Sequence, residues 1–133
     1  MLLSKTAEYG IQAVLSVAVH EKSGPAPGRE IADEWGMPPT YTNKILSQLR
    51  RVGILSSTRG VGGGFVLAKA PQDITCLEIA EAIDGPLDEE RFGLDAARPM
   101  DRVKRKYIAL RKDMFRYARS QLGKTTIKQL MSS

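Results

Sequence analysis

At 133 residues, 42% hydrophobic and 26% charged, the chain has the length and make-up of one globular domain with an appendage, which excludes a collagen-like or wholly disordered polymer. No apolar run approaches the roughly 20 residues needed to cross a bilayer, and Met1-Leu2-Leu3-Ser4-Lys5 runs into charge rather than a signal-peptide core, so a cytoplasmic protein is expected. One cysteine, Cys76, excludes an internal disulfide and a multi-thiolate metal site within one chain. The net charge of +5 is unevenly spread: +3 over residues 1–69, −6 over 70–100 and +8 over 101–133. A basic excess suits a polyanionic partner, but position along the chain has to decide what it means.

Ser4 can cap a first helix in which Ala7, Ile11, Val14, Leu15 and Ala18 share a face, and which ends before Ser23-Gly24-Pro25-Ala26-Pro27. Arg29 to Trp35 reads as a short second helix with Ile31, Ala32 and Trp35 on one side and Gly36 as a left-handed stop. After Met37-Pro38-Pro39, residues Thr40 to Val52 form a third helix capped by Thr40, with Tyr41, Ile45, Leu46, Leu49 and Val52 inward. Ile54–Thr58 and Phe65–Leu67 are strand-like runs around the tip Arg59-Gly60-Val61-Gly62-Gly63-Gly64, a hairpin. Thr75-Cys76-Leu77-Glu78 has the spacing of a capping box and opens a helix burying Ile79, Ala80 and Ile83 up to Gly85; Cys76 falls on that core face. Residues 86–99 read as an acidic loop, and a long helix runs from about Met100 to Leu122, with Thr126-Ile127-Lys128-Gln129 offering a cap for a last turn.

The expected fold is therefore mostly α with a small β hairpin: a winged helix-turn-helix over residues 1–85, an acidic loop over 86–99 that could take an effector, and a dimerisation helix with a short tail over 100–133. In such a fold the second helix of the pair enters the DNA major groove. Off its buried face lie Thr42, Asn43, Lys44, Ser47, Arg50 and Arg51; of these Thr42, Asn43, Lys44, Arg50 and Arg51, with Thr40 at its start and Ser4 at the start of the first helix, are candidate contacts to double-stranded DNA. The glycine tip carries one cation, Arg59, with little bulk around it, so the guanidinium and the bare backbone beside it can approach the narrow minor groove. A phosphate-binding loop is the competing reading of those glycines, but that motif must open a helix and here a strand and Pro71 follow. A structural glycine turn is another. Along the long helix Val103, Tyr107, Leu110, Met114 and Tyr117 repeat at 4, 3, 4, 3, a seam that suits a second copy of the chain. No nucleophile, base and orienting acid converge, so no enzyme is expected; a winged-helix protein-interaction module and a nonspecific nucleic-acid binder remain as rivals.

Glu8-Tyr9-Gly10, the run from Pro38 to Leu49, the run from Gly53 to Phe65 with its Arg-Gly-x-Gly-Gly-Gly-Phe pattern, and Ile79 to Gly85 together resemble the Rrf2 family of winged-helix regulators, over nearly the whole chain. The resemblance implies a homodimer joined through the long helix, palindromic operators, wing contacts by Arg59, Gly60 and Gly63, and repression more often than activation. Members that bind an iron–sulfur cluster carry three cysteines before the long helix, whereas residues 86–102 here have none. Glu8 matches a position that can supply a cluster ligand in some members, though a lone carboxylate on a first helix is ordinarily a surface group. His20 has no partner at ligand spacing. The expectation is a regulator without a metal or other cofactor, answering to an unknown small-molecule or protein effector if to anything.

Overall fold

The computed structural model describes residues 2–92 and 101–132. Helix α1, Lys5–His20, starts where Ser4 Oγ accepts the Ala7 amide, the cap expected from the sequence. It is the central element, packing most extensively against four other helices and the hairpin. Helix α2, Gly28–Trp35, stops at Gly36, whose φ of +66° is the left-handed turn that lets the Met37 amide return to Ala32 O at 2.8 Å and drops the Met37 side chain into the core.

Helix α3, Pro39–Arg51, begins one residue earlier than expected. Pro39 takes the first helical position, where its ring fixes φ and its missing N–H is one no helix would satisfy; Thr40 lies in the first turn and caps nothing. Val52, expected inward, is the C-cap residue and stays exposed, because the chain leaves the helical path there and turns at Gly53. Trp35, expected on the apolar face with Ile31 and Ala32, sits at the rim instead: it is 40% exposed and its indole N–H donates to Ser16 Oγ at 2.5 Å.

Strands β1, Leu55–Thr58, and β2, Gly64–Leu67, pair antiparallel with Leu55 opposite Leu67 and Thr58 opposite Gly64. Ala26, between α1 and α2, adds one more rung: its N–H donates to Phe65 O at 2.9 Å and the Phe65 N–H donates back to Ala26 O at 2.8 Å, so the hairpin is fastened to the start of the helix-turn-helix. Helix α4, Cys76–Asp84, is capped by Thr75 through the Glu78 amide. Only half of the expected box forms, since the Glu78 carboxylate pairs with Lys69.

Helix α5, Arg102–Lys124, is 23 residues long and caps on Asp101. Only its C-terminal half docks on the body, through Phe115 and Leu122. The chain then turns back. Helix α6, Ile127–Met131, carries the full reciprocal box between Thr126 and Gln129, and Ile127 is wholly buried in the main core with Val14, Val17, Ile31, Ile45, Leu46, Leu49, Ile54, Ile74 and Ile79. Each of these large side chains contributes about 1.5–3 kcal/mol by leaving water. A second small cluster of Ala7, Ala80 and Leu87, with Leu3, Leu77, Ile83 and Leu122 against it, joins α1, α4 and α5. Leu87 thus anchors the start of the segment read as a loop; residues 93–99 of that segment lie outside the described residues.

Candidate DNA interface

Helix α3 owes its position to its apolar side. Ile45, Leu46 and Leu49 are buried, and Gln48 donates its side-chain amide to Ala82 O of α4 at 3.1 Å. Tyr41 stacks edge-on against Tyr9 of α1 at 5.8 Å between ring centres and shares a hydrogen bond with the Thr6 hydroxyl. What remains outside is polar: Thr40, Asn43, Lys44, Arg50 and Arg51 are exposed, and the helix holds no acidic residue. A helix 10–12 Å across with this face free fits a major groove about 12 Å wide.

Two expected contacts are corrected. Thr42 is fully buried, and its hydroxyl donates to Pro38 O at 2.9 Å, so it braces the first turn of α3 and cannot meet a base. Ser4 is spent within the protein: its hydroxyl accepts from Ala7 N–H and donates to the Asp84 carboxylate, whose other oxygen accepts the Ser4 amide at 3.0 Å. No donor of Ser4 is left for a phosphate.

Gly28, at the start of α2, had no signal in the sequence beyond following a proline. A Cβ there would stand 2.6 Å from Asn43 Oδ1, so the glycine leaves room for the Asn43 side chain to lie along α2. Arg50 reaches across to the hairpin, its Nη1 donating to Ser57 Oγ at 3.3 Å, and so links the end of α3 to the wing.

In the wing, the tip glycines are structural as well as small. Gly60 and Gly62 have φ of +94° and +78°. A Cβ on Gly63 would come within 2.6 Å of Thr58 O, and one on Gly64 within 2.5 Å of Ala26 O, both rigid backbone. Arg59 and Val61 project from this tip into solvent, with the exposed cation beside a backbone bare enough for close approach. A strand follows the glycines, so the requirement of a phosphate loop for a helix is not met.

On α5, Val103, Tyr107, Leu110, Met114 and Tyr117 are 55–77% exposed along one side, so the stripe does not dock on its own domain.

The whole arrangement is matched by a family model described as iron-dependent transcriptional regulator, Rrf2, over residues 3–133. The chain belongs to the Rrf2 family. Among Rrf2 relatives, the HTH-type transcriptional regulator IscR of Xenorhabdus nematophila is 31% identical over the full chain and 80% of its own length. The IscR of Photorhabdus laumondii is 36% identical over 68% of the chain, a match that spans only 56% of that relative. The solved structure of CymR, the global cysteine regulator of B. subtilis, superposes with a TM-score of 0.82 at 26% identity, covering 97% of this chain and 95% of that one. Rrf2 proteins are helix-turn-helix transcription regulators, not enzymes.

The family description raises the question of iron, and the donor set does not fit an iron–sulfur centre. Such centres are held mainly by thiolates, and the chain has only Cys76, buried at the start of α4, where desolvation pushes the thiol pKa up and disfavours the ligating form. Glu8 is exposed beside Lys5 at 3.9 Å, and His20 pairs with Glu30 at 3.5 Å. Among the described residues no three histidine, cysteine, aspartate or glutamate side chains gather as a metal site. No helix among them is long and apolar enough to cross a membrane.

Proposed function

We propose that two copies of this chain pair along α5 and bind a pseudo-palindromic DNA site in the cytoplasm as a repressor, with one α3 in each of two major grooves and the Arg59 tips in the flanking minor grooves. The observation that carries this reading is the exposed, acid-free face of α3 beside a bare, cationic wing, since base edges and phosphates both reward it. Asn43 and Lys44, near the N-terminal end, are the base-reading residues; Arg50 and Arg51 meet phosphates; Arg59, Gly60 and Gly63 form the wing contact. The exposed apolar seam of α5 supports the dimer, because a contiguous apolar patch on a protein surface marks an interaction site. The protein acts without an iron–sulfur cluster, and an effector would act at the 86–99 segment.

Selection of bound duplexes from a random pool tests the reading directly: a dyad-symmetric sequence with half-sites about one helical turn apart, or a multiple of it, is the expected product. An asymmetric footprint counts against the dimer. Absence of any preferred sequence would favour a protein-interaction module or a nonspecific binder. Protein prepared anaerobically with iron and sulfide is expected to be colourless and to bind that sequence equally well with or without chelator; stoichiometric iron and visible absorption would overturn the cofactor-free reading.

A further inference from the structure

Helix α5 meets the rest of the molecule through a charged clasp as well as through Phe115 and Leu122. Lys112, Arg116 and Arg119 lie at spacings of 4 and 3, one stripe of the helix turned away from the apolar seam. Glu89 takes two of them: its Oε1 accepts from Arg116 Nε at 2.6 Å and its Oε2 lies 4.0 Å from Lys112 Nζ. Arg119 Nε donates to Leu87 O at 2.8 Å, and its Nη2 lies 3.9 Å from Glu81 Oε1, while Glu81 Oε2 accepts the Leu87 amide at 2.9 Å. Both backbone polar groups of Leu87 are therefore held, one from α4 and one from α5, around a side chain that is 1% exposed. The short stretch from Leu87 to Glu89 is thus bonded to both helices, to α4 through Glu81 and to α5 through Arg116 and Arg119.

Above this joint α5 is a lever. From Arg102 to Leu110 only Ile108 is even half-buried, and Val103, the far end of the seam, stands about 20 Å along the helix from Arg116 at 1.5 Å per residue. A change of about 10° at the joint moves that end by roughly 3.5 Å, the rise of about one base pair. Resting on the dimeric reading above, we infer that the Glu89–Arg116 pair, with Lys112 and the Arg119–Leu87 bond beside it, is a positioning device that fixes the angle between α5 and the DNA-reading body, and through it the half-site spacing the dimer accepts. An exposed ion pair adds little to stability, but two separate bonds across a lever's pivot restrict its direction.

The experiment is a spacer series: duplexes carrying the selected half-sites with the central gap changed by −2 to +2 base pairs, measured against wild type, Glu89→Lys, Arg116→Glu and the exchanged double variant, with sedimentation and thermal melting on each. Wild type is expected to favour one spacing at least tenfold over its neighbours. Each single variant should melt and dimerise as wild type does yet discriminate spacings less than threefold, and the exchanged pair should recover the sharp profile. Single variants that keep the wild-type profile would overturn the inference, as would an exchange that fails to recover it. A wild-type protein that sediments as a monomer, or binds single half-sites as well as paired ones, would instead overturn the dimeric reading on which the device rests.

Discussion

Thr42 and Asn43 are adjacent and polar, yet they face opposite media. Replacing Thr42 by valine keeps the shape and loses one bond to Pro38 O, so a cost of about 1 kcal/mol in unfolding free energy is expected, with the preference for cognate over random DNA unchanged. Asn43→Ala or Lys44→Ala should do the reverse: melting nearly as before, but a loss of roughly 1–3 kcal/mol that falls on the cognate site and spares random DNA. Gly28→Ala extends the same test, because the displaced atom is the end of a flexible side chain; stability should hold while the re-aimed Asn43 loses discrimination. Competition binding against random duplex separates these outcomes. The buried side of Thr42 was legible, since it stands three and four residues before Ile45 and Leu46, but its hydroxyl suggested solvent. Gly28 was not legible, because its requirement comes from a residue on another helix. Cys76 gives a pH prediction: burial raises its folded pKa, so the unfolded thiol ionises first, and the contribution to stability is full below the ordinary value of 9.0 and declines as pH rises through and beyond it. Native protein should react slowly with thiol reagents at pH 8 and promptly in denaturant.

At the level of elements, the hairpin is the part whose sequence says most. Glycines around one arginine signalled a tip, and strand residues on both sides located the strands; that the last glycine is needed for the crossing of Ala26 depended on a tertiary contact. Gly64→Ala should cost about 1–3 kcal/mol by forcing a methyl against Ala26 O. Arg59→Ala should leave stability intact and weaken binding most where the flanking minor groove is narrow; equal losses on A-tract and mixed flanks would contradict a minor-groove wing. The long helix was legible from its spacing, and its exposed seam gives the next expectation. Leu110→Lys should yield monomers by sedimentation and lose about 100-fold or more in affinity for the paired site, because joining two modules raises avidity by roughly 10²–10⁴. The start of α3 lies one residue before the place its sequence suggests, because Thr40 has the chemistry of a cap while the proline before it has the geometry of a first turn.

Over the whole molecule, composition and spacing foretold a helical domain with a wing and a projecting helix. They did not foretell that the chain comes home. Residues 125–131 were legible as a capped turn, but nothing local says that Ile127 belongs beside Ile74, more than fifty residues upstream, where its amide donates to Ile74 O at 2.9 Å and Thr125 O accepts from Cys76 N–H at 2.9 Å. The order of synthesis follows from this. A ribosome delivers α1 through α4 before Ile127, which shares their core, so the body is expected to finish closing only once residues 125–131 have left the exit tunnel. Nascent chains arrested with residue 124 outside the tunnel should be cut readily by protease and lack affinity for the operator, and those with residue 131 outside should resist. Contacts of such long sequence separation are the ones expected to form last.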